Sequence, residues 1–202
     1  MANNKEFKWS LLRRPGGVLS AMVTSVEKPV DKLKKTGAEY EQIYRADLAA
    51  AEPYDRIDLI IDSAGGSVAS ADGLCAAVLA TKKPVRVLID GRCMSAATMI
   101  AYGVGAKTVC ITSRSHIMFH MPTVVGYKGG IWTALYSFIR SGTVSAMIGL
   151  YRARSKTFSR STLRHMMENS ATMTPAQAVE AGFADKIVTL DAFQRGIHSG
   201  SR

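Results

Sequence analysis

The feature that most constrains the fold is a short apolar strand pattern that glycines interrupt and a helix pattern follows. Residues 57–62 read Ile-Asp-Leu-Ile-Ile-Asp, which is typical of a buried strand, and Ser63-Ala-Gly-Gly-Ser67 breaks the run. From Ala71 onward, apolar residues recur three and four positions apart, as they do on one face of a helix. This order predicts one βα unit of a parallel sheet.

The same rhythm continues along the chain. The next predicted elements are a strand over 85–89, a turn at Gly91, a helix over 96–102, and strands over 108–112 and 117–120. They are followed by a helix over Ile131–Arg154, a helix that begins with the capping box Thr174-Pro-Ala-Gln177, and a last strand over 184–188. Residues 40–51 are predicted to be helical, and the glycines in Gly126-Tyr-Lys-Gly-Gly130 are predicted to start the long helix. The alternation indicates an α/β fold with a parallel sheet.

Composition limits the classes of function. The net charge is +10, from 26 Lys and Arg against 16 Asp and Glu, but the basic residues are dispersed. This distribution favours solvated faces and an acidic protein partner over specific nucleic-acid binding. No apolar run approaches the roughly 20 residues that span a bilayer, and we see no secretory signal. Three cysteines within apolar segments favour a reducing, cytoplasmic compartment over a disulfide framework.

Glycines 65 and 66 follow the first buried strand directly. One interpretation is an ordinary strand-to-helix turn. The other is functional, because glycines let backbone approach a ligand and leave N–H groups free where a helix starts. Such donors suit an anion, including the oxyanion of an acyl-transfer intermediate.

Ser95 also lies between a predicted strand and a helix start, which is the arrangement of a nucleophile elbow without the G-x-S-x-G sequence. A serine that only caps the helix fits the same position. His120 ends a predicted strand and is a candidate core residue, metal ligand or general base. His116 is four residues away but on a strand-like segment, so we expect neither a metal nor a cofactor. Strand ends of one parallel sheet share an edge, so Ser95 and His120 can lie together there.

Several motifs together resemble the proteolytic subunit of the Clp protease. They are Asp62-Ser-Ala-Gly-Gly-Ser-Val68, Gly91-Arg-Cys-Met-Ser-Ala-Ala97, His116-Ile-Met-Phe-His-Met-Pro122 and the stretch from Met173 to Ile187. The resemblance covers about residues 57–188 and is nearest to the phage and prophage branch of that family. It implies a ClpP/crotonase-like fold of stacked βαβ units with a protruding handle helix over Ile131–Arg154. The whole chain, 1–202, is then one peptidase domain in which residues 1–56 are a divergent N-terminal part.

The resemblance also implies site residues. Ser95 is the nucleophile and His120 its base, while the backbone N–H groups of Gly66 and Ala96 form the oxyanion hole. In the family, the third member of the catalytic triad is an aspartate. That aspartate is missing here, and Glu168 is the nearest carboxylate in register. Weaker substitutes are His165 and Asn169. Asp185 matches the family pattern and is expected to serve structure.

The implied activity is a serine endopeptidase that hydrolyses polypeptides inside an oligomeric chamber. Family members form heptameric rings that stack, and a Clp-type ATPase or a role in phage head maturation is compatible with the resemblance. The apolar surface of the handle favours burial between subunits; it comprises Trp132, Leu135, Tyr136, Phe138, Ile139, Met147, Ile148 and Leu150. Residues 5–14 lie where family members carry an axial loop.

Three other interpretations stay open. A catalytically silent scaffold or partner subunit is motivated by the missing aspartate. An acyl-CoA enzyme of the crotonase group shares the fold and the oxyanion hole but does not need both Ser95 and His120. A signal-peptide peptidase relative generally has a serine–lysine dyad and a membrane anchor, and we find no anchor in the sequence.

Overall fold

The computed structural model describes residues 5–27, 35–122, 131–155 and 157–196, with the side chains of 5–6, 26–27 and 131–141 left out. The strands are β1 (Lys5–Arg14), β2 (Val18–Glu27), β3 (Arg56–Ser63), β4 (Val85–Met94), β5 (Thr108–Ile111), β6 (His116–Met118), β7 (Thr172–Met173) and β8 (Lys186–Ile187). The helices are α1 (Gly37–Ala50), α2 (Val68–Ala80), α3 (Ala96–Gly103), α4 (Ile131–Arg154), α5 (Arg160–Glu168), α6 (Pro175–Glu180) and α7 (Leu190–Gln194).

All these strands join one sheet, whose main path runs β1-β2-β3-β4-β5-β8. β1 pairs with β2 antiparallel, and the other pairs along the path are parallel. The sheet divides at β4, because Arg86–Ile89 pair with β5 whereas Arg92–Met94 pair with β6. β7 then adds antiparallel to β6. The carboxyl ends of β3, β4 and β6 therefore meet at one edge.

Alternate residues of the central strands face two different hydrophobic clusters, as the two-residue period of a strand requires. The larger cluster contains Leu59 and Ile61 of β3 together with buried residues of α1, α2 and α3. The smaller cluster joins Ile60 of β3 and Leu88 of β4 to Phe193 of α7. Helices thus cover both faces of the sheet, and the predicted α/β fold class is confirmed.

Several local predictions hold closely. Helix α4 has the predicted bounds, and α6 begins with the predicted capping box, in which the Thr174 hydroxyl accepts the Gln177 N–H and the Gln177 side chain accepts the Thr174 N–H. β3 is one residue longer at each end than predicted. These elements follow from local pattern and end signals, which do not depend on distant partners.

The N-terminal hairpin was not predicted from the sequence. Residues 5–14, assigned to the position of an axial loop, form the edge strand β1, and β2 lies parallel to β3 inside the sheet. A signal was present: Phe7, Trp9 and Leu11 alternate, and all three pack on the larger cluster. Pro15-Gly-Gly17 supplies the turn between the strands.

The predicted turn at Gly91 is wrong, because β4 continues to Met94. The irregularity is absorbed as a bulge: Ile61 faces Ile89, but Ser63 faces Cys93. Gly91 has φ 137°, and a Cβ there would lie 2.7 Å from the Asp62 carboxyl carbon, so glycine is required at this point.

Part of the predicted handle surface is internal to the subunit. Met147 and Ile148 are buried in the larger cluster, and Leu150 packs against it. The side chains of Trp132, Leu135, Tyr136, Phe138 and Ile139 lie outside the described residues, as does the segment Gly126-Tyr-Lys-Gly-Gly130. Among the described helices, none is long and apolar enough to cross a membrane.

Candidate active site

Ser95 lies between β4 and α3 in a backbone conformation that serine rarely adopts. Its φ is 57° and its ψ is −131°, and only 7% of its surface is exposed. Although Ser95 occupies the N-cap position of α3, its hydroxyl makes no capping hydrogen bond. A strained, uncapped serine at a strand-to-helix junction is the nucleophile-elbow arrangement, and the helix-capping interpretation does not apply.

Two contacts hold the Ser95 backbone in place. Its N–H donates to the Met118 carbonyl at 3.0 Å, which connects the elbow to the end of β6. Its carbonyl accepts from the Thr98 hydroxyl at 2.5 Å, and Tyr151 of α4 is 2.6 Å from the same hydroxyl. Because Thr98 donates to Ser95, Tyr151 donates to Thr98. Burial raises the pKa of Tyr151 well above its ordinary value, so this phenol stays neutral and serves as a structural donor.

The glycine loop after β3 packs directly on Ser95. Gly65 has φ 95°, and a Cβ built on it would lie 2.7 Å from the Ser95 Cβ and 3.2 Å from its Oγ. Gly66 is buried next to it. Within the described residues, no hydrogen bond engages the backbone N–H of Gly66 or that of Ala96. The loop and the start of α3 therefore bring two unused donors to the neighbourhood of the Ser95 hydroxyl.

His120 lies two residues beyond the end of β6, not at the end of a strand as predicted. Backbone bonds fix its two neighbours: Phe119 N–H donates to Ala171 at 2.9 Å, and Met121 N–H donates to Met167 at 3.0 Å. The Nδ1 atom of His120 is 2.6 Å from the Met121 carbonyl. A carbonyl only accepts, so in the neutral ring Nδ1 carries the proton and Nε2 is left as an acceptor. This is the tautomer that a general base requires.

Ser95 and His120 share the same edge of the sheet, as predicted. The link is short, because the Ser95 N–H is bonded to Met118, two residues before His120. No hydrogen bond between the Ser95 hydroxyl and the imidazole is present in the described part of the chain.

Glu168 is the last residue of α5 and its side chain is exposed. Its backbone is near His120, since the preceding residue, Met167, accepts the Met121 N–H. The described side-chain contacts include none between Glu168 and the imidazole, whose Nδ1 meets Met121 instead. Asn169 bonds to His165 of the same helix, and no hydrogen bond in the described part of the chain joins either of these substitutes to His120.

Other polar groups serve the framework. Asp185 accepts the Val109 N–H at 2.7 Å and pairs with Arg154 at 2.7 Å, in line with the expected structural role. All three cysteines are free. Burial raises the pKa of the Cys93 thiol, close to the elbow, so it is unsuited to act as a nucleophile. No cluster of three potential metal ligands occurs among residues 5–27, 35–122, 131–155 and 157–196.

Comparison with known proteins is consistent with this geometry. The family model described as Clp protease matches residues 36–191, which is more than half of the chain. The chain belongs to the Clp protease family. The match begins at the cap of α1, so part of the N-terminal region considered divergent is family-like. No curated protein matches the sequence.

A solved structure supports the fold. A ClpP1 mutant from Listeria monocytogenes superposes with a TM-score of 0.65 at 17% identity, covering 76% of this chain and 87% of the other. Identity at this level establishes the shared fold alone. The chain therefore combines membership of the Clp protease family with a fold like that of ClpP1.

Sequence reasoning missed three residues that shape the site: Thr98, Tyr151 and Ser25, whose hydroxyl donates to the Gly65 carbonyl at 2.5 Å. Tyr151 and Ser25 contact residues 53 and 40 positions away, and no local motif marks any of the three. Ser25 follows from the pairing of β2 with β3, a pairing that was itself not predicted.

Proposed function

We propose that this protein is a serine endopeptidase in which Ser95 is the nucleophile and His120 the general base. One observation carries the proposal: the Ser95 hydroxyl is held at a strained elbow, uncapped, against the Gly65–Gly66 loop. Strain that is maintained at a strand end without a capping bond is typical of functional positions.

The reaction starts when Ser95 attacks the carbonyl carbon of a peptide. Nε2 of His120 takes the hydroxyl proton and later gives it to the leaving amine, and water then hydrolyses the acyl-enzyme. The Met121 carbonyl holds Nδ1–H and keeps the required tautomer. The N–H groups of Gly66 and Ala96 receive the developing oxyanion, and each such donor contributes roughly 10²- to 10³-fold to kcat.

Glu168 remains the proposed third member only for a state in which its side chain turns to the imidazole. Met121 already occupies Nδ1, so the two acceptors compete for one proton. If Glu168 takes over, Glu168→Gln lowers kcat strongly and leaves KM almost unchanged, because the interaction strengthens as imidazolium forms. A fully active Glu168→Gln enzyme would leave Met121 as the orienting group.

Reaction with a fluorophosphonate probe tests the proposal. The purified protein is labelled, and mass spectrometry is used to find the modified residue, which we expect to be Ser95. Hydrolysis of a fluorogenic peptide is measured in parallel for wild type and Ser95→Ala. Loss of the hydroxyl should abolish both signals and leave the unfolding curve nearly unchanged. Peptide turnover by Ser95→Ala would end the assignment.

A catalytically silent subunit is the second candidate. Two observations favour it. The described contacts include no hydrogen bond between Ser95 and His120, and the Glu168 side chain is exposed. A silent subunit would not react with the probe in any assembly state. Labelling therefore has to be repeated on each oligomer separated by size.

Assembly and partners follow from family membership. We propose a homo-oligomeric ring that encloses the sites, polypeptide substrates, and a cytoplasmic setting. A Clp-type ATPase partner and a role in phage head maturation stay predictions from the motifs alone. Light scattering on the purified protein measures the subunit number, and a monomer at all concentrations would contradict the chamber.

A further inference from the structure

Three residues, Ser25, Ser63 and Gly65, form a closed ring of hydrogen bonds beside the elbow. The Ser25 hydroxyl, on β2, donates to the Gly65 carbonyl at 2.5 Å and also contacts the Ser63 hydroxyl. The Gly65 N–H donates to the Ser63 hydroxyl at 3.2 Å. Ser63 is fully buried and Ser25 is partly buried, so water competes little for these bonds.

The direction of each bond in the ring is determined. The Gly65 carbonyl can only accept, so Ser25 must use its single proton there. Ser63 then donates its proton to Ser25 and accepts the Gly65 N–H. Every donor and acceptor is used once around the ring. Gly65 is therefore held at both its N–H and its carbonyl by two serines from neighbouring strands.

The bond to the Gly65 carbonyl also orients the next N–H. In a trans peptide the carbonyl of one residue and the N–H of the next point in opposite directions. Ser25 belongs to β2, on one side of β3, and Ser95 follows β4, on the other side. A Gly65 carbonyl bonded toward β2 thus turns the Gly66 N–H toward the side where Ser95 lies.

We propose that Ser25 is a positioning residue that holds the Gly65–Gly66 peptide in the orientation an oxyanion hole needs. This inference rests on the proposed peptidase function. Gly65 lacks a side chain and has φ 95°, so little else prevents its peptide from rotating. Ser25 does not touch substrate; it acts through the Gly66 N–H.

The test compares substitutions at one position. Ser25→Ala removes the donor, Ser25→Cys replaces it with a weak one, and Ser25→Thr keeps the hydroxyl. Ser20→Ala is the matched control, because Ser20 lies on the same strand and its buried hydroxyl has no partner within the described residues. Each variant is checked by circular dichroism melting and by size before kinetics are measured.

The expected result is a graded loss of kcat at nearly constant KM, because the oxyanion exists only during reaction. Ser25→Ala should lose about 10- to 100-fold in kcat, less than the roughly 10²- to 10³-fold from removing a donor outright. The kcat of Ser25→Cys should lie between those of Ser25→Ala and wild type, and Ser25→Thr and Ser20→Ala should match wild type. A peptide aldehyde forms a tetrahedral adduct with the nucleophile, so its binding affinity should fall by the same factor as kcat/KM.

The outcomes separate two failures. Inactive wild type, or activity that survives Ser95→Ala, overturns the proposed function and this role with it. If wild type is active and Ser95→Ala is not, a Ser25→Ala enzyme with unchanged kcat and unchanged aldehyde affinity overturns only the role of Ser25. A loss that appears in KM alone, or equally in Ser20→Ala, also overturns it. Should Ser25→Ala misfold, the other two variants decide. A kcat for Ser25→Cys below that for Ser25→Thr supports the role of Ser25, and equal kcat values overturn it.

Discussion

Replacing Gly65 with alanine tests how closely the glycine loop approaches Ser95. The new Cβ would lie 2.7 Å from both the Met94 carbonyl oxygen and the Ser95 Cβ. Neither atom belongs to a flexible side-chain end that could move aside. The loop or the elbow must therefore shift, and either movement separates the Gly66 N–H from the Ser95 hydroxyl.

The expected loss of stability in Gly65→Ala has two parts. Holding alanine in the left-handed region costs about 1–2 kcal/mol, and overpacking adds about 1–3 kcal/mol. The free energy of unfolding should fall by about 2–5 kcal/mol, against a total of about 5–15 kcal/mol for a typical domain. We expect a folded protein that has lost peptide hydrolysis.

Gly16→Ala supplies the matched control. Gly16 also has a left-handed φ, 74°, but nothing lies within 4 Å of its Cβ position. Both variants share the conformational cost and the change in unfolded-chain entropy. The difference between their free energies of unfolding therefore isolates the steric clash of the new Cβ with Met94 and Ser95. Urea unfolding gives the two free energies, and fluorophosphonate labelling reports on Ser95. Equal stabilities, together with wild-type labelling of Gly65→Ala, would refute the close approach.

Other predictions concern the framework. Phe183→Ala should lower the free energy of unfolding by about 3–5 kcal/mol in denaturant titration, because the ring is fully buried with its centroid 4.8 Å from that of Phe119; a loss below 1 kcal/mol would contradict this packing. Thr174→Ala should cost about 1 kcal/mol by removing the cap of α6, whereas Thr174→Ser should cost little. Burial raises the pKa of the Cys75 thiol to about 12, so iodoacetamide should modify it near pH 8 only after unfolding, as mass spectrometry can check. The same shift makes stability fall as pH rises above the ordinary thiol range toward 12, where the unfolded thiol ionises first.

Part of the site was predictable because it depends on local signals. The glycine pair directly follows the strand that ends at Ser63, and Ser95 directly precedes an apolar helix. The βα rhythm places both points at one edge of a parallel sheet. The family motifs extended this to His120. The chemical candidates could therefore be named before the fold was known.

The position of Glu168 shows where local reasoning ends. Spacing in sequence brought it into register with a family carboxylate, and its backbone does come near His120. Whether its side chain reaches the imidazole depends on the packing of α5 and on the Met121 carbonyl, which already accepts the Nδ1 proton. A one-dimensional pattern contains neither piece of information.

The sequence by itself determined the order of strands and helices from α1 to α4, the bounds of α4, the cap of α6 and the candidate nucleophile, because capping, periodicity and turn residues act over a few positions. Only the tertiary structure decided that β2 lies beside β3, that Gly65 rests on Ser95, and that Ser25 holds the Gly65 carbonyl. The pairing of distant strands sets these contacts, and a residue such as Ser25 gains its role from a neighbour 40 positions away.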